Sequence, residues 1–124
     1  MRILVVDDWP DGAASWVPLL RLFDFEVDAA TSGAQALEMA RAHRPDVGLL
    51  DLAMPGMDGC ELARRLRRLY PDRLILIAIT AHDSEEDRCA SRAAGIDFHL
   101  RKPAEPQAIV SLLHAASRVF KESK

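Results

Sequence analysis

Three short runs of consecutive apolar residues stand out along the chain: Ile3-Leu4-Val5-Val6, Val47-Gly48-Leu49-Leu50 and Leu74-Ile75-Leu76-Ile77-Ala78-Ile79. Runs this short, rich in branched side chains and lacking polar alternation, fit strands buried on both faces. Between them the apolar positions recur at helical spacing. Leu19, Leu20 and Phe23 end a first helical stretch; Ala36, Leu37 and Ala40 line a second; Leu62, Leu66 and Leu69 line a third; Ile109, Leu112, Leu113 and Ala116 mark the last. Pro18 falls inside the first stretch. It lacks an N–H and its ring crowds the preceding turn, so a kink or early break is expected there, at a cost of about 3 kcal/mol.

Local start and stop signals agree with this division. Ser32 with Gln35 and Asp58 with Glu61 have the spacing of a capping box, and Ser84 with Asp87 resembles one. Pro106 suits the first position of a final helix, and Gly95 the end of the helix beginning near Ser84. Two weaker strands, Glu26 to Ala30 and Phe98 to Arg101, complete five β-α repeats. Such a string predicts a parallel sheet covered by helices on both faces, joined by right-handed crossovers.

Composition narrows the field of functions. A chain of 124 residues fits one domain over 1–124 and can bury a core without metal or disulfide. It is 49% apolar with a net charge of −3, which argues against a nucleic-acid binder. No apolar run approaches a membrane span, and the N-terminus does not read as a signal peptide. The lone cysteines Cys60 and Cys89 form no CxxC motif, which fits a reducing, cytoplasmic setting.

Ligands of parallel α/β sheets bind beyond the carboxyl ends of the strands, so the residues closing each strand carry the chemistry. Strand one runs into Asp7-Asp8, strand three into Asp51, strand four into Thr80, and strand five into Lys102-Pro103. Converging carboxylates repel until a cation neutralises them. With only oxygen ligands on offer, a hard ion such as Mg²⁺ is favoured. A lysine and a threonine beside it would serve a phosphoryl group, so the fitting chemistry is in-line phosphoryl transfer to a carboxylate.

Those pieces, with the segment Asp51-Leu52-Ala53-Met54-Pro55-Gly56-Met57-Asp58-Gly59 and Thr80-Ala81, resemble the receiver domain of two-component response regulators over essentially the whole chain. The likeness extends to stand-alone chemotaxis-type regulators and to receivers of hybrid sensor histidine kinases. It implies a flavodoxin-like (βα)5 three-layer sandwich with a parallel sheet of order 2-1-3-4-5. Asp51 is then the phospho-acceptor, served by a histidine kinase or histidine phosphotransfer protein. Asp8, Asp51 and the backbone carbonyl of Ala53 hold Mg²⁺ or Mn²⁺, with Asp7 acting directly or through water. Lys102 pairs with the phosphoryl oxygens, and Thr80 moves to hydrogen-bond one. The family's switch aromatic, three positions before the lysine, is His99 here instead of Tyr or Phe. The implied protein is a switch and not an enzyme: it catalyses only its own phosphorylation and dephosphorylation. It would signal to a downstream protein partner through the face of the fourth helix, fifth strand and fifth helix, as a monomer or phosphorylation-dependent dimer. No output domain, direct nucleic-acid contact or membrane contact is expected in this chain. Ala53 and His82 occupy the two variable positions that modulate phosphoryl lifetime in the family.

Plainer readings stand beside these. An Asp-Asp pair can be a polar turn, Thr80 an ordinary strand end, and His99 a half-buried edge histidine. Arg64, Arg65, Arg67, Arg68 and Arg73 read as a solvated helix face, while Arg88, Arg92, Arg101 and Arg118 scatter near the expected output face. Trp9 flanks the acidic pair and Trp16 reads as packing. His43 and His114 have no obvious partners, and neither cysteine is marked as reactive. Three competing functions fit the residues less well. A haloacid dehalogenase-type hydrolase needs a second Asp two positions after the nucleophile, where Ala53 stands. A flavodoxin-like electron carrier needs a Ser/Thr/Gly-rich phosphate loop, where Asp7-Asp8-Trp9-Pro10-Asp11 would repel FMN. A receiver-like scaffold that works without phosphorylation would not need the full acidic set and Lys102.

Overall fold

The computed structural model describes residues 1–7, 17–51, 59–72, 74–80, 94–101 and 106–122. Five strands, β1 (Arg2–Val6), β2 (Glu26–Ala30), β3 (Val47–Asp51), β4 (Ile75–Thr80) and β5 (Phe98–Arg101), form one parallel sheet in the order β2-β1-β3-β4-β5. This is the fold and strand order that the resemblance implies. The three apolar runs became the three inner strands, each lying within a residue of its expected bounds.

Alternation along those strands builds two cores. Leu4 and Val6, Leu50, Leu76 and Ala78 point to one face, where they meet Ala36, Leu37 and Ala40 of helix Gly33–Ala42 and Leu62, Ala63 and Leu66 of helix Gly59–Leu69. Ile3 and Val5, Val47 and Leu49, Ile77 and Ile79 point the other way, onto Leu20 and onto Ile109, Val110, Leu113 and Ala116 of helix Pro106–Glu122. Successive side chains of a strand face opposite sides, so a strand between two helix layers must be apolar at every position. That requirement explains the unbroken runs.

Several local expectations need correction. The first helical stretch ends at residue 21; Phe23 lies beyond it in a turn, 43% exposed, and Asp24 adopts φ 65°. The kink expected at Pro18 would involve the carbonyl of Ala14, outside the described residues. The box at Ser32 is only half formed. Ser32 Oγ accepts from Gln35 N at 3.1 Å, but Gln35 Oε1 accepts from Thr31 N at 2.8 Å, one residue before the cap. Asp58, Ser84 and Asp87 lie outside the described residues. Pro106 opens the last helix as expected, and Gly95 has φ 95°, the left-handed region where a side chain is strained.

Arg67 is not a solvated surface arginine. Its Nη1 donates to Leu74 O at 2.6 Å, and its Nη2 to Gly95 O at 2.8 Å and to Asp97 Oδ2 at 2.9 Å. Asp97 Oδ2 also accepts from Leu76 N at 2.8 Å. At the same edge of the sheet Asp46 Oδ2 accepts from Arg2 N at 2.9 Å. Asp46 and Asp97 each immediately precede a strand, and each side chain accepts an N–H near the start of the neighbouring strand, Arg2 in β1 and Leu76 in β4. The edge where the strands begin is thus stitched by charge-assisted hydrogen bonds. Arg67→Ala should cost about 1–3 kcal/mol, because two carbonyls lose a donor and the Asp97 carboxylate keeps, among the described residues, only Leu76 N. Thermal unfolding checks this; an unchanged melting temperature would make the contacts incidental.

Candidate functional site

The opposite edge, where the strands end, is built differently. Val6 stands opposite Leu50 in the register between β1 and β3, and Ala30 opposite Val6 in that between β2 and β1. One residue further on, Asp7 and Asp51 therefore leave adjacent central strands at the same level. Asp51 is the last residue of β3 and is 7% exposed, the single buried charged or polar side chain among the described residues. Asp7 is half-buried, and its N–H donates to Ala30 O at 3.1 Å, which holds the end of β1 against β2. A carboxylate is almost never this buried without compensating partners. Its position at a strand end, not within the core, marks Asp51 as the centre of the site.

Thr80 closes β4, one residue past Ile79, the register partner of Asp51. It stands opposite Arg101, the residue that Lys102 follows in sequence. His99 lies in β5 opposite Ala78, two residues before Thr80, on the sheet face that the helices 33–42 and 59–69 cover. It is half-buried, and its Nε2 lies out of solvent. Since β5 pairs only with β4, His99 sits on an edge strand of the sheet.

Of the site residues expected from sequence, Asp7, Asp51 and Thr80 come together at one sheet edge, and His99 sits on β5, beyond β4 and two strands from Asp51. Asp8, Ala53 and Lys102 lie outside the described residues, as do Trp9, Trp16, His82, Arg73, Arg88, Arg92 and Cys89. Among the described residues no three His, Cys, Asp or Glu side chains form a metal-binding group. The donors that are described, the half-buried carboxylate of Asp7 and the buried one of Asp51, are of the hard-oxygen kind that suits Mg²⁺ or Mn²⁺.

Sequence reasoning missed the stitching by Arg67, Asp46 and Asp97, whose one signal was an Asp directly before each of two strands. It also left His114 without partners, whereas its ring packs against Phe23 at 6.1 Å and Phe25 at 5.7 Å between centroids. Cys60 is half-buried and packs against the core, in keeping with a small helix residue. Among the described residues no helix is long and apolar enough to cross a membrane.

Comparison with known proteins agrees with this geometry. Residues 3–114 match the family model described as the response regulator receiver domain. Response regulator MprA of Mycobacterium avium is 39% identical over 118 residues, covering 95% of this chain and 51% of the relative. The chain thus spans about half the length of the curated relatives it matches. A CheY-like receiver domain protein from Methanospirillum hungatei superposes with a TM-score of 0.89 at 28% identity, covering 98% of this chain and 97% of the other. The BeF3-activated N-terminal receiver domain of RstA from Klebsiella pneumoniae superposes with a TM-score of 0.84 at 27% identity, covering 94% and 97%.

Proposed function

The chain belongs to the response regulator receiver domain family, the signalling switches of two-component systems, and from that premise we propose that Asp51 is its phospho-acceptor. The observation that carries the reading is the burial of Asp51 at the end of a central strand, level with Asp7 on the neighbouring one. In the transfer, a carboxylate oxygen of Asp51 attacks the phosphorus of a phosphohistidine. The P–O bond forms in line as the P–N bond breaks, and the departing imidazole keeps the electron pair. Later attack by water returns the carboxylate and releases phosphate.

Each residue has a defined task in this scheme. Asp8, Asp51 and the carbonyl of Ala53 would hold Mg²⁺ or Mn²⁺, with Asp7 joining directly or through water. The metal, when bound, supplies positive charge that offsets the crowded carboxylates and the phosphoryl oxygens. Lys102 pairs with those oxygens. Thr80 moves to donate a hydrogen bond to one of them, and with His99 it forms the switch. The protein catalyses only its own phosphorylation and dephosphorylation. A histidine kinase or phosphotransfer protein supplies the phosphoryl group. The face carrying β5 and the last helix passes the signal to a downstream protein, by contact of a monomer or through a phosphorylation-dependent dimer, with no direct nucleic-acid contact by this domain.

The test uses the intact chain with Mg²⁺ and a small phosphodonor, read by intact mass. Addition of one phosphoryl group is expected, and beryllofluoride with Mg²⁺ should change tryptophan fluorescence. An unmodified mass and no Mg²⁺-dependent signal would overturn the reading. Binding linkage provides a second check: Mg²⁺ at ten times its Kd stabilises by about 1.4 kcal/mol, which raises Tm by about 5 °C. No shift at millimolar Mg²⁺ would argue against a shared carboxylate site.

A further inference from the structure

Helices 33–42 and 59–69 pack side by side over one sheet face. Between their outer surfaces runs a groove of about 380 Å³ lined by Leu37, Arg41, Glu61, Arg65, Arg68 and Leu69. Leu37 and Leu69 make an apolar floor, and three guanidinium groups rim it. Together the two helices carry five arginines against two glutamates, in a chain whose net charge is −3. Glu61, the sole acid of the lining, is already shared: Arg65 Nε donates to its Oε1 at 3.0 Å and Arg64 Nη1 to its Oε2 at 3.2 Å. Those two arginines, Arg65 foremost, hold the Glu61 carboxyl below the usual carboxylate range. Among the described residues neither Arg41 nor Arg68 has an ion-pair partner. The helices run antiparallel to the strands, so Arg41 and Arg68, in their last turns, lie toward the stitched edge and away from Asp51.

We propose that this groove docks an acidic segment of a partner protein that carries an apolar side chain. Its carboxylates meet Arg41, Arg65 and Arg68, and its apolar side chain lies over Leu37 and Leu69. Charge complementarity selects the occupant. The surplus of positive charge here is local in an acidic molecule, and it steers an acidic partner to this side. Leu37 is 5% exposed and only closes the floor, so the apolar area left for a docked segment to bury is that of half-buried Leu69, which a bare anion would not use. A nucleic acid fits poorly, since Glu61 interrupts the basic rim and a phosphate backbone needs a continuous one. Glu61 to Arg68 spans seven residues of helix, about 10 Å, or about three residues of an extended segment. Arg41 and Arg68, in the last turns of the two helices, put two of the three guanidinium groups at the end of the groove far from Asp51.

The probe is a labelled peptide, Glu-Glu-Leu-Glu-Glu, titrated against the full chain by fluorescence anisotropy at low salt, with a Glu-Glu-Ser-Glu-Glu peptide and a single-stranded oligonucleotide as comparisons. Saturable binding of the leucine peptide is expected. Combining Arg41→Glu with Arg68→Glu should weaken it about tenfold or more. Glu61→Gln should tighten it, because Arg65 is released into the groove. Such opposite signs cannot come from a general loss of structure, and melting curves with the milder Arg41→Gln and Arg68→Gln variants guard against misfolding. The proposal is overturned by no peptide binding at millimolar concentration, by binding indifferent to these substitutions, by equal binding of the serine peptide, or by tighter binding of the oligonucleotide.

Discussion

Replacing Asp51 with Asn is expected to abolish the phosphodonor-dependent gain in mass while leaving the protein folded. The amide has nearly the same shape as the carboxylate, so the buried site at the end of β3 keeps its packing. It loses the anionic oxygen that, on the proposed reading, attacks phosphorus. The substitution also removes one of the converging negative charges. The Mg²⁺-dependent rise in melting temperature should therefore shrink together with the fluorescence response to beryllofluoride. Asp7→Asn should weaken the Mg²⁺ response and still permit phosphorylation, because its proposed role is on the metal side. Wild-type mass gain in Asp51→Asn would show that another residue accepts the group.

Leu50→Ala carries the largest expected loss of stability. Leu50 is fully buried in the middle strand of the sheet, packed in the core shared with the helices 33–42 and 59–69. Truncating such a side chain removes apolar burial and leaves a cavity, at about 2–5 kcal/mol. For a domain of this size that lowers Tm by roughly 8–20 °C. The effect should reach the site, since Asp51 is the next residue and its position depends on the β3 register with β1 and β4. Phosphorylation of the folded variant should be slower than wild type at a temperature well below its melting point. Leu22→Ala is the control: Leu22 is 79% exposed, and its loss should change stability by no more than about 0.5 kcal/mol. Equal melting temperatures for Leu50→Ala and wild type would contradict the packing described.

The parts of the fold that were legible were those with a local physical cause. An inner strand between two helix layers has no polar face, so the runs Ile3–Val6, Val47–Leu50 and Leu74–Ile79 read as buried strands. The acids at 7 and 51 were visible as charges ending apolar runs. Arg67 was not legible. Among five arginines on and around one helix nothing in its spacing sets it apart, and its acceptors at Leu74, Gly95 and Asp97 come together only when the two later strands are in place. Phe23 was misplaced for a related reason. Its spacing continues the helical period of Leu19 and Leu20, but the chain turns before it, and its ring finds His114 on the last helix, far along the sequence.

Among the described residues, the amino-acid sequence by itself determined which segments are strands, which are helices, and that Asp7, Asp51 and Thr80 close the inner strands. Burial periodicity and capping act over a handful of neighbouring residues, so they can be read from one segment at a time. The resemblance implied how those segments are arranged, but no segment encodes that arrangement. Only the tertiary structure decided that β1 and β3 are neighbours at the centre of the sheet, and that Asp7 and Asp51 therefore stand level with each other. It also put β5 at the edge, with His99 on the same face as the arginine-rimmed groove. The reason is that strand order and register follow from which helix faces are buried together, a balance struck over the whole molecule.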